Sequence, residues 1–190
     1  SNTLMGVNMT GENLLKYMEW SASYYNTAKK GDVTISFNPN VRSYNYDMFE
    51  GIDYDIDISQ EAGNRIKNVK IKGQSIDPKK VYKVAVNNYR FGTLQSLKLA
   101  TPQDVYYDSY EVMQDAGRIR ALIGKYVKDV DKGVISPKVN NNWKIIGFDP
   151  DVEGRDKILD EIRAGTIKIP ASADGRTPNV KSINIYELNN

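Results

Sequence analysis

The 190-residue chain contains neither cysteine nor histidine. Without cysteine it has no disulfide, no thiol nucleophile and no zinc–thiolate centre; the compartment stays open, because cytosolic and exported bacterial-type proteins alike can lack the residue. The missing histidine says more, since imidazole is the commonest general base near neutral pH and a mainstay of metal hydrolase sites. The expectation is a chain that holds no catalytic or metal-ligating residue of its own and serves chemistry performed elsewhere. No run of about 18 apolar residues occurs, and the first residues lack a basic segment followed by an apolar one, so neither a membrane span nor a signal peptide is expected. Twenty-six basic residues against 24 acidic leave a net charge of +2. The charges are spread along the chain, which argues against a nucleic-acid polymer or an anionic membrane as partner.

What the chain does have is a core's worth of apolar residues, 40%, and 13 tyrosines against 4 phenylalanines. The length suits one domain, or one domain with an appendage. Thr10 as N-cap, helical spacing of Leu14, Leu15, Met18, Ala22 and Tyr25, and Gly31 as stop predict a helix over 11–28. A short strand is expected at 32–37, followed by the polar loop "NPNVRSYNYD". Ile52, Tyr54, Ile56 and Ile58 alternate with Asp53, Asp55 and Asp57, the pattern of a strand with one buried face. Further strands are expected at 65–73, 81–89 and 140–148. Asp108 with Glu111 resembles a capping box, and Val112, Ala116, Ile119, Ile123 and Tyr126 make an inner stripe, which predicts one long helix over 106–129. Beyond residue 148 a helix with Ile158, Leu159 and Ile162 inward, stopped by Gly165, and a terminal strand over 180–188 form an appendage. The fold class is α+β, with helices layered on mixed or antiparallel sheets. The recognised domain is 1–148 and the appendage 149–190.

Several groups of residues invite a functional reading. The three aspartates at 53, 55 and 57 do not suit a calcium loop, which needs oxygens converging about a tight turn; they read as an exposed strand face balanced across the sheet by Lys70 and Lys72. The sequon at Asn8 sits at a helix start and carries no functional weight, and Arg118 with Arg120 reads as a solvated face. The stretches "RSYNYD" and "NNYRFG" differ in kind, since each sets tyrosine beside asparagine in or next to an irregular segment. An aromatic face stacks on a planar base, and an amide offers both donor and acceptor to a base edge or sugar hydroxyl. The bland alternative is that Tyr44, Tyr46 and Tyr89 cap the core with their hydroxyls in water.

The succession "NTL…MTG", "SYNYDMFEGIDYDIDIS" and "RIKNVKIKGQSIDPKKVYKVAVNNYR" resembles the C-terminal domain of the 5'-nucleotidase family, over roughly residues 2–146. Within that family the likeness is to the branch of bacterial 2',3'-cyclic-nucleotide 2'-phosphodiesterase/3'-nucleotidases. The resemblance implies a two-domain hydrolase: an N-terminal metallophosphoesterase domain, outside this chain, would hold two divalent metal ions, and the present domain would bring a nucleotide or nucleoside to them. It also implies an extracellular, cell-surface or periplasmic location. In the family the base is sandwiched between two aromatic rings. One is matched here by Tyr89, and the other precedes an asparagine that begins a strand, matched by Asn2. That second ring is therefore expected ahead of the chain's first residues, and Ser1 reads as a remnant of a tag. Asn88 accompanies Tyr89, and Tyr44, Asn45 and Tyr46 align with a loop near the base. The family's glycine-rich run after the strand-end aromatic is replaced by "RFGTLQSLKLATPQD", with Gly92 alone, so Arg90 and Phe91 are candidates to fill that space or to touch the ligand. A module of the same fold that no longer binds nucleotides, and serves as a structural or carbohydrate-binding partner, is the rival expectation.

Overall fold

The computed structural model describes residues 2–168 and 182–187. In chain order the elements are β1 (Leu4–Thr10), α1 (Gly11–Ala22), β2 (Asp53–Asp57), β3 (Ile66–Ile71), β4 (Gln74–Ser75), β5 (Val81–Asn87), α2 (Asn88–Ser96), β6 (Val105–Asp108), α3 (Ser109–Met113), α4 (Ile119–Asp129), β7 (Trp143–Ile146) and α5 (Val152–Arg163). They form two compact units, one made of the segment up to Tyr17 together with Ile76–Asn141, the other of Met18–Ser75 and the segment from Asn142 onward.

The first unit is built on β1, the central strand of a three-stranded antiparallel sheet in the order β5-β1-β6. Its Met5, Val7 and Met9 are buried on one face. From the residues alone this strand is missed, and only the resemblance implied that a strand begins near Asn2. At its far end Thr10 takes the expected capping role, its hydroxyl accepting the Asn13 N–H at 3.2 Å. Gly11 then passes so close to the Asp77 carbonyl that any Cβ there would collide with it, which is why a glycine starts the helix.

The expected helix over 106–129 is broken. Its first residues form β6, paired with β1, and the rest splits into α3, a 3-10 turn at Gln114–Gly117, and α4. Gln114 adopts a left-handed φ of 51°, and Gly117 is pressed against the Ser109 carbonyl where no side chain fits. The break destroys the common face of the predicted stripe: Val112, Ile123 and Tyr126 are exposed, and α4 has no buried residue. Asp108 does cap α3, accepting from the Tyr110 N–H.

The second unit holds a four-stranded sheet in the order β4-β3-β2-β7, with β2 antiparallel to β3 and parallel to β7. Ile52, Tyr54, Ile56 and Ile58 are buried as the alternation predicts. Asp53 stands opposite Lys70, one of the two lysines expected, whereas Asp55 faces Lys67 and Lys72 lies outside the paired register. A register shift between Asp53 and Asp55, with Asn68 at φ 54°, moves the pairing, and Lys72 falls in the turn after β3 at φ 50°. Asn68 itself donates to the Asp55 carboxylate at 2.7 Å.

Helix α1 stops at Ala22, not at residue 28. The buried Arg65 guanidinium donates to the carbonyls of Ala22 (2.8 Å) and Tyr25 (2.6 Å), so a side chain distant in sequence satisfies the helix end. Glu19 completes the arrangement, its carboxylate accepting the N–H groups of Arg65 and Ile66. The expected strand over 32–37 is reduced, among the described residues, to two isolated bridges, Asp32 with Asn184 and Tyr25 with Phe37. Helix α5 forms as expected, capped by Asp151, with Ile158 buried and Gly165 at φ 79° as its stop; Leu159, expected inward, is exposed. Of the terminal strand expected over 180–188, the described part has the single bridge at Asn184 followed by a turn, and the remainder lies outside the described residues, as does Ser1.

Candidate functional site

Strands β5 and β6 both run antiparallel to β1, so their C-terminal ends meet at its N-terminal end: Leu4 pairs with Asn87 and Met5 with Asp108. At each end a helix begins at once. Asn87 caps α2, its side chain accepting the Arg90 N–H at 2.7 Å, so "NNYRFG" is a helix start and not the strand end and loop expected from sequence. The residues after Tyr89 continue that helix through Ser96, which is how this chain fills the place of a glycine-rich run. A Cβ at Gly92 would meet nothing within 4 Å, so that glycine is not there to admit a neighbour.

Asn88 and Thr3 hold each other reciprocally: the Thr3 N–H donates to Asn88 Oδ1 at 3.0 Å and the Asn88 N–H donates to the Thr3 carbonyl at 3.1 Å. Asn2 is tied down by its carbonyl, which accepts the Ile119 N–H at 2.9 Å. Tyr89 stands beside this junction with 55% of its surface exposed. Arg90 and Phe91 are buried. The Arg90 guanidinium carbon lies 5.9 Å from the Tyr89 ring centroid, within cation–π range, and its Nη1 donates to Thr93 Oγ1 at 3.2 Å. The fold thus gathers Asn2, Asn88, Tyr89 and Arg90 at one end of the sheet.

Ser109 is the residue that sequence reasoning missed here, because reading 106–129 as one helix gave it no special place. It is fully buried; its hydroxyl accepts the Leu4 N–H at 2.8 Å and donates to the Gly117 carbonyl at 2.6 Å.

Tyr44, Asn45 and Tyr46 belong to the second unit, on and just after a 3-10 turn. Tyr44 is exposed. The Asn45 N–H donates to the Arg42 carbonyl. Tyr46 sits in an aromatic cluster: its ring stacks on Tyr24 at 5.2 Å and its hydroxyl accepts from that of Tyr25 at 2.7 Å. Burial pushes the Tyr46 phenol well above its usual ionisation range. Two clefts of this unit, of about 430 and 570 Å³, are lined by other residues, Lys29 among them. Among the described residues no three histidine, cysteine or acidic side chains are grouped to hold a metal ion, and no helix is long and apolar enough to cross a membrane.

This α+β arrangement of short sheets and helices is shared by solved structures. One from Staphylococcus aureus, described as a 5'-nucleotidase in complex with alpha-ketoglutarate, superposes with a TM-score of 0.59 at 27% identity, covering 76% of this chain and 27% of that one. A 5'-nucleotidase precursor from Thermus thermophilus shares the fold with a TM-score of 0.53 at 19% identity. The model of the 5'-nucleotidase C-terminal domain matches residues 1–98. The chain belongs to that family. It is similar to the 2',3'-cyclic-nucleotide 2'-phosphodiesterase/3'-nucleotidase of Yersinia enterocolitica, 30% identical over 162 residues, or 76% of this chain. It is also similar to the trifunctional nucleotide phosphoesterase protein YfkN of Bacillus subtilis, 29% identical over 159 residues. It spans 24% of the Yersinia protein and 10% of the Bacillus one.

Proposed function

We propose that this chain is the nucleotide-recognition part of a two-domain metallophosphoesterase that hydrolyses nucleotides or 2',3'-cyclic nucleotides. In this reading residues 1–148 recognise the nucleotide and 149–190 are an appendage. The observation that carries it is the exposed Tyr89 ring at the start of α2, beside an amide anchored to β1. The names of the relatives support the substrate class. Tyr89 stacks on the base; Asn88 and Asn2 offer polar groups at its edge. Tyr44, Asn45 and Tyr46 are the remaining candidates. Arg90 and Phe91, both buried, fill the space that a glycine-rich run would leave, with the Arg90 guanidinium 5.9 Å from the Tyr89 ring centroid.

The two divalent ions belong, by the resemblance, to the separate N-terminal domain, where they would activate water and stabilise the in-line displacement at phosphorus. This chain's share is positioning, which lowers the barrier by presenting the phosphate in reactive geometry. The location that goes with this reading is extracellular, at the cell surface or periplasmic.

The test is calorimetry with adenosine and 3'-AMP on the chain and on its Tyr89→Ala variant, together with a metal-dependent phosphodiesterase assay on the chain alone. Base stacking predicts a loss of about 1–3 kcal/mol of binding in the variant and no hydrolysis by the chain. Unchanged affinity would defeat the stacking role, and metal-dependent turnover would overturn the division of labour.

A further inference from the structure

Helix α4 carries an apolar face that the described residues leave uncovered. Ile123, Tyr126 and Val130 are 58%, 57% and 57% exposed, and they recur at i, i+3 and i+7, one face of a helix with about 3.6 residues per turn. Ile119, Leu122 and Val127 stand on the same face and are partly covered. Lys125 and Lys128 fall outside it. Large apolar side chains exposed in a row, unlike single ones scattered over a surface, mark a place where another surface sits.

Two features of the helix say what sits there. The face is its own complement when reversed. About the midpoint between Gly124 and Lys125, Ile119 is level with Val130, Leu122 with Val127 and Ile123 with Tyr126, so a second α4 laid antiparallel sets apolar against apolar at each level. The flanks carry opposite charges at opposite ends. Arg120 and Asp131 are 11 residues apart, as are Arg118 and Asp129, and that spacing is three turns plus about 20°, which puts each arginine and its aspartate on one flank. Asp131 follows the C-cap Val130, and its N–H donates to the Tyr126 carbonyl at 3.3 Å, which keeps it against the last turn.

In an antiparallel pair each flank meets its own copy running the other way, as a two-fold axis requires. Arg120 of one copy then comes beside Asp131 of the other, about 3 Å from level and within the reach of the side chain. Arg118 and Asp129 already have partners in their own chain, Asp115 and Lys125. Arg120 and Asp131 form no ion pair with another described residue.

We infer that the apolar face of α4 is a self-association surface, on which a second copy of this chain lies antiparallel, with Ile123 against Tyr126 at the centre and Arg120 against Asp131 at both ends. The inference is independent of the nucleotide reading. One face of a three-turn helix covers less than the roughly 800 Å² per partner of a standard interface, so the dimer is a weak one, with a dissociation constant on the order of micromolar or above.

The test is analytical ultracentrifugation of the 190-residue chain from about 1 μM to about 1 mM, in wild type and in Tyr126→Asp, Arg120→Asp and Asp131→Arg. The expected result is a monomer–dimer equilibrium that Tyr126→Asp abolishes and that each charge substitution weakens by about tenfold or more. An equimolar mixture of the Arg120→Asp and Asp131→Arg chains should recover association to within about threefold of wild type, because each chain then meets the opposite charge at both positions. Circular dichroism and melting check the fold of each variant, and the mixture supplies the second readout if Tyr126→Asp misfolds. A chain that stays monomeric at the highest concentration overturns the inference and leaves the face to a different occupant. A dimer that a folded Tyr126→Asp leaves intact, or a mixture that associates no better than its two components, overturns it as well.

Discussion

Asn88 and Thr3 are locked by two hydrogen bonds, side-chain oxygen to backbone N–H at 3.0 Å and backbone N–H to carbonyl at 3.1 Å. The contact joins the first turn of α2 to the head of β1 across 85 residues of sequence. Replacing Asn88 by alanine removes the side-chain half of the lock, at about 1 kcal/mol, and thermal unfolding should fall by roughly 2–4 °C. Asn88→Asp keeps an acceptor for Thr3 but removes the amide donor. Its melting temperature should stay nearer to wild type than that of the alanine variant while adenosine binding weakens. Equal loss of both properties in the two variants would remove Asn88 from the ligand and leave it a purely structural clasp.

Gly117 and Gly124 make a paired test of the broken helix. A methyl at 117 would collide with the Ser109 carbonyl, at the point where Ser109 holds β1; Gly117→Ala should destabilise by roughly 2 kcal/mol or more. At 124 nothing lies within 4 Å of an added Cβ, so Gly124→Ala in α4 should stabilise by about 0.5–1 kcal/mol. Urea unfolding of both variants reads the two signs directly. A continuous helix over 106–129 would make both substitutions stabilising.

Arg65 is 1% exposed and donates to the carbonyls of Ala22, Tyr25 and Gln60 and to the Thr27 hydroxyl. Arg65→Met leaves three carbonyls to find other donors and should cost about 3–5 kcal/mol, on the order of a 10 °C fall in melting temperature. Arg65→Lys should not rescue it, because a single ammonium cannot span the fork of partners. Rescue by lysine would show that charge, and not geometry, is what the end of α1 requires.

Alkaline pH should unfold this protein through its tyrosines. Burial raises the pKa of Tyr25, Tyr46 and Tyr54, while in the unfolded chain each ionises near 10. Below that value both states hold the proton and stability does not change. Above it the unfolded state releases protons that the folded state keeps, so stability falls as pH rises. Melting temperature measured from pH 8 to 11 should drop past 10, and Tyr46→Phe should flatten the slope while lowering the melting temperature at pH 8 through loss of the Tyr25 bond. An unchanged slope in that variant would locate the alkaline sensitivity elsewhere.

Strand β2 and helix α5 were legible because each carries its own pattern: an alternating apolar face for the first, a cap, an apolar stripe and a glycine stop for the second. Strand β1 was not, because its seven residues run straight into the cap of α1 and its pairing is with strands 71 or more positions away. The α2 start was hidden for a related reason. Asn87 ends a strand and caps a helix in one residue, and local patterning cannot show which role prevails.

By itself the sequence determined that no histidine or cysteine chemistry resides here, that the fold is α+β, and which tyrosines stand beside amides. The resemblance it carries reached the family. Tertiary structure decided which of those tyrosines stands at the end of a sheet, because that depends on two strands both running antiparallel to β1. It also decided that Arg90 and Phe91 lie within the fold and that Ser109 anchors β1 as Asn88 does. Hydrogen bonds between residues 85 and 105 positions apart place these groups, and no local periodicity records such distances.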